Sequence, residues 1–482
     1  MISKIILSHY IYISSMVDSM ANSVEDYLIE GLSFKLQPGA SYVTDRRSVN
    51  FYAAGSNVYT SDSGARVIRI NLTGDGWLDP ATVRVAFTLV NTDATVGHVL
   101  RPLTGGWGFF RRARCMVGGT LIDDMDYYNR VHEMMHILTS KANRDNDDIE
   151  GFNARWDSDI YYNHYDNTNS TGLIYPGLPG GANGKKRISF KPLFGICGQS
   201  KYIPLSYAPL TMEFEIVNQV WDPVVKVGAA PSNFTADNTS NAWQIQDVRV
   251  ISDVVTLDSA LQNSYAEHVL SGKALPINYS TFITQYQTLT TVDAAVNVTR
   301  AVSRLKSVFI NFDASHTANN NDGVNVNSVV NTFLGPMADM TDYFGGAYSH
   351  LKELQWQLQI GSKMFPEYPC GSISETFYQL KKALGIAGSA FHSVSLTPEK
   401  YRNDHFIIGV DTEKILEAGF TGLNTRAGDL MIVRIKPQNG STADFNNGDL
   451  KWATSMFIML HADQILETVS YTHLTLPTIY SV

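Results

Sequence analysis

The segment YNRVHEMMHIL holds the residues of this chain whose types and spacing come nearest to a catalytic pattern: His132, Glu133 and His136. Residues four apart lie on the same face of a helix, so both imidazoles could reach one metal ion. A glutamate beside the first histidine serves as general base in zinc-dependent hydrolases that carry this H-E-x-x-H pattern. The pattern therefore raises the hypothesis of a zinc hydrolase.

A catalytic zinc site also needs a third protein ligand and a bound water. Thr139 and Ala142 stand where the glycine and the histidine of the extended motif would lie. Glu150 and His164 are alternative third ligands, but Glu150 belongs to a polar, acidic run without a helical pattern. The zinc hypothesis is therefore incomplete.

The same helix has a structural explanation. Its apolar residues form one stripe with a helical period, which predicts packing on a sheet: Tyr127, Val131, Met134, Met135 and Leu138. The two histidines lie beside that stripe, where an imidazole can pack its ring and hydrogen-bond outward. We favour this interpretation, and we predict no catalytic residue, no metal ligand and no cofactor-binding residue.

Three other charged patterns are weaker. GGANGKKRISF is similar to a phosphate-binding loop, but Pro179 replaces its first glycine, Lys186 replaces its Ser or Thr, and a strand pattern follows it. We interpret it as a basic loop tip, and the acidic run NRDNDDIE as a solvated loop. In RRAR, Arg112 and Arg114 share one face of a strand, which predicts an outward-facing edge that contacts a neighbouring subunit.

Composition excludes several classes of protein. With 44% hydrophobic and 17% charged residues, the chain has the composition of a globular protein and not of a disordered one. Its net charge of −9 disfavours a basic nucleic-acid or membrane-surface binder. Cys115, Cys197 and Cys370 are too scattered for a disulfide framework, which predicts buried thiols in a reducing compartment. No apolar run reaches transmembrane length.

Alternation of apolar and polar residues dominates the sequence and predicts half-buried antiparallel strands. It is clearest in TVRVAFTLV, LTMEFEI and ELQWQLQI. Further strands are predicted at Val67–Ile70, Arg112–Val117, Ile245–Val250, Val308–Phe312, Phe406–Val410, Met431–Ile435 and Met456–Leu460. The fold class is therefore all-β, with few short helices and long loops.

The order of these parts occurs twice. Each half has a strand, a glycine turn, a helix, a long polar loop and further strands, which predicts tandem copies of one β-sandwich. The helices are predicted at Asp126–Ser140 and Ile373–Leu384, and Ser372 with Glu375 forms a capping box for the second. The long loops span 144–186 and 313–346, and the halves join at a short helical stretch within 256–276 that ends at Gly272.

Both ends of the sequence depart from this pattern. Residues 1–25 imitate a signal peptide only poorly, and Met16 or Met20 is an alternative start. Residues 468–482, beginning TVSYTHLTLPT, resemble a sequencing adapter translated in frame, so we expect them to be foreign to the natural chain. We leave both segments out of the fold prediction.

Four blocks of the sequence resemble the double jelly-roll major capsid proteins of polinton-like viruses, which are related to those of polintons and virophages. The blocks are DYLIEGLSFKLQPGASYVTDRRSVNFY, VIRINLTGDGWLDPATVRVAFTLVN, LRPLTGGWGFFRRARCMVGGTLIDDMDYYNRVHEMMHIL and FIMLHADQILE. The resemblance implies two tandem eight-stranded jelly rolls, at 26–258 and 276–467, joined by a linker at 259–275. It also implies that the H-E-x-x-H helix belongs to the jelly-roll framework.

The resemblance further implies homotrimers that form pseudo-hexagonal capsomers and an icosahedral shell around double-stranded DNA. The expected partners are neighbouring capsomers and a minor penton protein, with no sequence-specific nucleic acid and no membrane span. The expected location is the virion, assembled in the host cytoplasm or nucleus. Because family chains continue past HADQILE, we expect the second jelly roll to lack its last strand and to leave a sheet edge unpaired. A zinc hydrolase and a glycan-binding β-sandwich remain the alternatives.

Overall fold

The computed structural model describes residues 42–62, 64, 66–96, 98–100, 102, 104–152, 177–182, 184–220, 222–224, 240–290, 293–313, 354–388, 394–398, 401, 406–414, 421–426, 429–437 and 455–468. The chain divides into two compact units. Of the first, Met1–Thr44, only residues 42–44 are described. The account below concerns the second unit, Asp45–Val482.

The first set of elements precedes residue 258. Its strands are β1 (Val43–Ala54), β2 (Val58–Tyr59), β3 (Val67–Leu72), β4 (Trp77–Leu78), β5 (Arg84–Asn91), β6 (Phe110–Val117), β7 (Thr120–Asp126), β8 (Lys185–Phe190), β9 (Ile203–Pro204), β10 (Leu210–Ile216) and β11 (Trp243–Leu257). Its helices are α1 (Tyr128–Ile137), α2 (Lys141–Glu150) and the single turn α3 (Gly195–Gly198), with 3-10 turns at Pro80–Thr82 and Gly106–Phe109.

Helix α4 (Ser259–Leu270) follows β11 and leads into the second set. The strands of this set are β12 (Leu275–Thr288), β13 (Ala294–Val298), β14 (Leu305–Asp313), β15 (Leu354–Ile360), β16 (Lys363–Cys370), β17 (Ile408–Asp411), β18 (Met431–Pro437) and β19 (Ser455–Thr468). Helix α5 (Ile373–Ala383) lies between β16 and β17.

The second set pairs into two four-stranded sheets, in the orders β12-β19-β14-β17 and β13-β18-β15-β16. The first set contains the same two orders, β1-β11-β5-β8 and β3-β10-β6-β7. These are joined where Ala53 of β1 pairs with Ile70 of β3, and the short strands β2, β4 and β9 are additions beside β11. Each set is therefore an eight-stranded jelly roll, and the all-β, double jelly-roll prediction is confirmed.

The last described strand of the second jelly roll lies inside a sheet. Strand β19 lies between β12 and β14 and pairs with β12 from Leu275↔Thr468 to Thr288↔Ser455. The apolar segment MFIML fills the central position of this sheet, because Met456, Phe457, Ile458, Met459 and Leu460 are all buried. The further strand that we expect to be missing would follow residue 467, beyond which only Thr468 is described, so that expectation stays a prediction.

Side-chain alternation explains why these segments form sheets. In β3 the residues alternate between exposed and buried, and in β15 Leu354, Trp356, Leu358 and Ile360 are buried while the glutamines between them are half-exposed. The buried faces belong to one core that runs through both jelly rolls. At about 1.5–3 kcal/mol for each large apolar side chain, burial of these faces is the main stabilising term.

The helices match the prediction in part. Ser372 accepts a hydrogen bond from the Glu375 amide at 3.1 Å, and Gly385 has a φ of 70°, as expected for the two ends of α5. The segment NRDNDDIE was predicted to be a solvated loop, but it forms most of helix α2, so that prediction was wrong. The remaining parts of both long loops, 153–176, 183 and 314–346, lie outside the described residues. Within the described part of the chain, no helix is both long and apolar enough to span a membrane.

Candidate metal centre and the contact between the jelly rolls

Helix α1, which carries the H-E-x-x-H pattern, is buried on most of its surface. Val131, Met134 and Leu138 of the predicted apolar stripe are buried, and Tyr127 and Met135 are half-buried. Tyr128 and Ile137, outside that stripe, are buried as well. The helix packs on β6 and on the 3-10 turn at Gly106–Phe109, so the structural explanation of α1 holds for more residues than the stripe predicted.

His132 packs against aromatic rings and a backbone carbonyl. Its imidazole stacks on the indole of Trp107 at a centroid distance of 4.2 Å and an interplanar angle of 19°. Its Nε2 lies 3.0 Å from the carbonyl oxygen of Lys191, and the edge of Phe190 meets the ring at 5.8 Å. Burial lowers the pKa of His132 to about 3, so the ring is neutral at physiological pH.

Glu133 and His136 also face Trp107. The indole Nε1 of Trp107 donates a hydrogen bond of 2.8 Å to Glu133 Oε2, and the ring of His136 lies tilted at 4.7 Å from the indole. His136 Nδ1 is 3.5 Å from Asp147 Oδ2 on α2. One tryptophan thus contacts all three residues of the pattern.

This arrangement does not resemble a zinc site. The Lys191 carbonyl holds one histidine nitrogen, and the indole holds the carboxylate that would act as general base. Glu150, a suggested third ligand, lies 3.4 Å from Arg84 in an ion pair, and His164 lies outside the described residues. Among the residues that the structure describes, no group of three or more His, Cys, Asp or Glu is placed to hold a metal ion.

The phosphate-loop-like segment continues into β8, as its sequence indicated. Lys186, at the position of the Ser or Thr of that motif, lies within the strand. Its ammonium donates to the carbonyl oxygen of Gly151 and lies 4.6 Å from the ring of Phe152. No helix begins here to present amide groups to a phosphate. The lysine instead anchors the residues that follow α2 to the strand.

The arginines of RRAR lie on an internal strand, so the predicted edge was wrong. Strand β6 pairs with β7 on one side and with β10 on the other. Arg112 makes a bidentate pair with Asp124, at 2.7 and 2.6 Å, and Arg114 lies 3.0 Å from the buried Glu213. These arginines pair with carboxylates on the neighbouring strands of the same sheet.

The three cysteines are free and buried, as predicted. Burial raises the pKa of Cys197 to about 12 and that of Cys370 to about 11, and it raises the pKa of Cys115 as well. Thiols held in this protonated state are poor nucleophiles and poor metal ligands.

A second candidate site is the inter-roll contact, where β7 of the first jelly roll packs against β12 of the second. The Tyr279 hydroxyl lies 3.1 Å from the Ile122 carbonyl oxygen, and the Thr281 hydroxyl donates to the carboxylate of Asp123. These four residues are buried. The sequence did not identify this contact, because its two sides are more than 150 residues apart in the chain.

Asp123 is the central polar group of the inter-roll contact. Besides Thr281, the amide of Gly195 at the start of α3 donates to its Oδ2 at 3.0 Å. Burial raises the pKa of Asp123 to about 7, although these hydrogen bonds oppose the shift. A Cβ on Gly195 would collide with the backbone oxygen of Ser280 in β12, so glycine permits the close approach of the two jelly rolls.

Aromatic residues extend the inter-roll contact on one side. The rings of Tyr127 and Tyr286 stack at 5.2 Å, and Phe457 of β19 meets Tyr127 edge-on at 5.0 Å. The guanidinium of Arg130 on α1 lies 4.5 Å from the Phe457 ring. The back of the H-E-x-x-H helix is therefore part of the contact between the two jelly rolls.

Next to the contact is an open, polar cleft of about 600 Å³. Its charged lining comes from both jelly rolls and includes Asp124, Asp126, Arg300 and Arg426. The cleft presents charges of both signs. Neither sign dominates, since Asp124 is already paired with Arg112. Its lining selects no class of ligand.

Comparisons with known proteins rest on structure alone, because no protein-family model and no curated protein matches this sequence. The chain is similar to the PBCV-1 virus capsid, with a TM-score of 0.53 and 15% identity, over 91% of this chain and 98% of that one. It is also similar to a chain of the Sputnik virophage structure, with a TM-score of 0.50 and 9% identity, over 93% and 95% of the two chains. At these identities the likeness concerns the fold, and it extends over nearly the whole of each chain.

Proposed function

We propose that this chain is a major capsid protein that forms homotrimeric, pseudo-hexagonal capsomers and builds an icosahedral shell around a double-stranded DNA genome. The observation that carries the proposal is the presence of two jelly rolls with the same strand order in one chain. The likeness to the PBCV-1 capsid over 98% of that chain's length supports it. Two jelly rolls in each of three chains provide six similar lobes, which suit a hexagonal lattice.

The packing of His132, Glu133 and His136 is in keeping with a structural role. A shell subunit needs rigid sandwiches and wide lateral surfaces, and it needs no reactive group. His132, Glu133 and His136 pack around Trp107, and the three thiols are buried. A framework role accounts for each of these side chains without a substrate or a cofactor.

The proposed partners follow from this role. They are further copies of the chain, neighbouring capsomers and a minor penton protein, and the proposed location is the virion, assembled in the host cytoplasm or nucleus. The net charge of −9 fits a shell wall that does not neutralise the genome. We therefore propose no sequence-specific contact with nucleic acid.

The oligomeric state tests the proposal. The full chain is expressed, its mass is measured by light scattering after size exclusion, and its shape is examined by negative-stain electron microscopy. We expect three times the chain mass and particles of hexagonal outline. A monomer at micromolar concentration contradicts the proposal.

Two further measurements on the same preparation test the alternatives. Elemental analysis that finds one zinc per chain, lost in His132→Ala and in His136→Ala, would support the hydrolase. Binding of the monomer to a glycan array would support the carbohydrate-binding protein. We expect zinc well below one equivalent and no glycan signal above that of a heat-denatured sample.

A further inference from the structure

The inter-roll contact has a carboxyl group at its centre. Asp123 is 1% exposed, and it accepts hydrogen bonds from the Thr281 hydroxyl of the second jelly roll and from the amides of Gly195 and Ile196. All three donors are neutral. In the described part of the chain, no lysine, arginine or histidine forms an ion pair with Asp123. An ionised Asp123 is therefore a buried charge without a counter-ion, which is costly.

The titratable groups around Asp123 do not offset such a charge. Its partner across the β6–β7 pair is Cys115, and Cys197 lies on α3. Burial raises the pKa of Tyr279 on β12, and the charges of Asp123 and Cys115 raise it further. Each of these groups becomes an anion when it loses its proton. Lys191 opposes the rise in the pKa of Cys197, but it has no such effect on Asp123.

A residue with a strained backbone follows β7 in the same contact. Tyr127 has a φ of 51° and a ψ of 41°, a left-handed conformation that residues with bulky side chains rarely adopt. Rings of the second jelly roll cover its side chain, because Tyr286 stacks on it at 5.2 Å and Phe457 meets it edge-on at 5.0 Å. Strained backbone persists only where its surroundings hold it, so these rings help to hold Tyr127 in this conformation.

Two clefts bring solvent close to these residues. The cleft of about 600 Å³ is lined in part by Thr281, and a second cleft of about 370 Å³ is lined in part by Tyr127 and Tyr286. Thr284 lines both clefts, and its buried hydroxyl has no hydrogen-bond partner among the described residues. Parting of the two jelly rolls here would let water bond to that hydroxyl and to the carboxylate of Asp123.

We propose that Asp123 and Tyr127 form a latch between the two jelly rolls, which opens when the Asp123 carboxyl loses its proton while each jelly roll stays folded. Opening removes two unfavourable features together, the buried charge at Asp123 and the strained backbone at Tyr127. This inference does not rest on the proposed function, because the contact lies within one chain. Failure of the latch leaves the capsid proposal standing, and the reverse also holds.

The latch opens as the pH rises. In the closed contact burial raises the pKa of Asp123 to about 7, whereas a carboxyl group in water releases its proton near 3.8. Between these values the closed contact holds a proton that the open contact does not hold. The equilibrium constant for opening therefore rises with pH from about pH 4 and levels off above about pH 7.

The native thiols report the opening of the latch. Cys115 and Cys197 adjoin Asp123, whereas Cys370 is a buried thiol of the second jelly roll, 3.5 Å from the Thr376 hydroxyl. The full chain is treated with a dipyridyl disulfide, which modifies thiols at acidic and neutral pH, and each cysteine is followed by peptide mass spectrometry. Division by the rate at Cys370 removes the common effects of pH and of global unfolding. We expect the relative labelling of Cys115 and Cys197 to rise about tenfold or more from pH 5 to pH 7.

Asp123→Asn is the matched variant, because it keeps one acceptor oxygen and does not titrate. We expect its relative labelling to be equal at pH 5 and pH 7. A dependence on pH that persists in this variant overturns the latch. So does relative labelling that is constant with pH in the unmodified chain, or equal acceleration of all three thiols there, and these two outcomes can be observed whether or not the variant folds.

Tyr286→Ala tests the part played by Tyr127. It removes a ring that stacks on Tyr127 and changes no charge, so we expect relative labelling of Cys115 and Cys197 to increase about twofold to tenfold at both pH values. Tyr368→Ala removes a tyrosine of β16 that is 79% exposed, and this control should leave the labelling unchanged. Equal labelling in the two variants would overturn the inclusion of Tyr127 in the latch.

Discussion

At the scale of single residues, Trp107 explains the H-E-x-x-H pattern better than a metal does. Its indole stacks on His132, approaches His136 and donates a hydrogen bond to Glu133. We predict that Trp107→Phe lowers the free energy of unfolding by about 1–3 kcal/mol beyond the loss of ring volume, because a buried hydrogen bond to a carboxylate is removed. Urea unfolding followed by circular dichroism measures this difference.

Trp77→Phe is the matched control for that prediction. Trp77 is also buried, and it contacts the ring of Tyr265 at 4.9 Å. Trp77→Phe measures the loss of free energy of unfolding when a smaller ring replaces an indole whose contact is with another ring. Equal losses in the two variants would show that the hydrogen bond to Glu133 contributes nothing measurable.

The environment of the pattern was predictable only in part. The apolar stripe correctly indicated that α1 packs on a sheet, because the helical period is a local property of the sequence. The role of Trp107 was not predictable, since it lies 26 residues before Glu133 and reaches it through the return of the chain along β6 and β7. Spacing identifies residues that share a face, but it does not identify what covers that face.

At the scale of elements, the N-cap of α5 provides a test. The Ser372 hydroxyl accepts a hydrogen bond from the Glu375 amide, and Thr376, in the first turn, accepts one from the indole of the buried Trp356 at 2.9 Å. We predict that Ser372→Ala destabilises the protein by about 1 kcal/mol, because an amide of the first turn loses its partner. Thermal unfolding of Ser372→Ala and Ser372→Asp measures it, and Asp should retain most of the stability as another good N-cap. An equal loss in both variants would contradict the capping role.

Helix α2 shows why one element was mispredicted. NRDNDDIE has no apolar stripe, and its one large apolar residue, Ile149, is 83% exposed, so hydrophobic periodicity gave no signal. The helix is supported by other contacts. Lys141 pairs with Asp145 at 2.8 Å, and the buried Arg144 donates to the carbonyl oxygens of Ile137 and Thr139 at the end of α1. Such tertiary contacts override local preference and are not readable from a short segment.

At the scale of the whole molecule, the repeated order of strands was predictable and the contact between the halves was not. Alternation and glycine turns are local, so they indicated two copies of one sandwich before any pairing was known. The inter-roll contact brings Asp123 to Thr281, and neither residue departs from the pattern of its own strand. The carboxyl of Asp123, a titratable group, therefore lies within the contact between the two jelly rolls.

We predict that Asp123 makes stability depend on pH. Burial raises its pKa to about 7, while the unfolded chain releases the same proton near 3.8. Between these values the folded state holds one proton more, so stability is fully present below about pH 4 and falls as the pH rises towards 7, by about 4 kcal/mol in total. Asp123→Asn keeps the size of the side chain and one acceptor oxygen, and it removes the titration. Urea unfolding at intervals from pH 5 to pH 8 should therefore give a flatter profile for this variant than for the unmodified chain.

Thr281→Val separates titration from a general weakening of the contact. The Thr281 hydroxyl donates to the carboxylate and so lowers the pKa of Asp123, in opposition to burial. Without that donor the pKa rises further, and the loss of stability should continue to a higher pH than in the unmodified chain. Asp123→Asn combined with Thr281→Val should again be flat. If the profiles of all four proteins run parallel, Asp123 does not titrate between pH 5 and pH 8, and the dependence of the inter-roll contact on its proton is refuted.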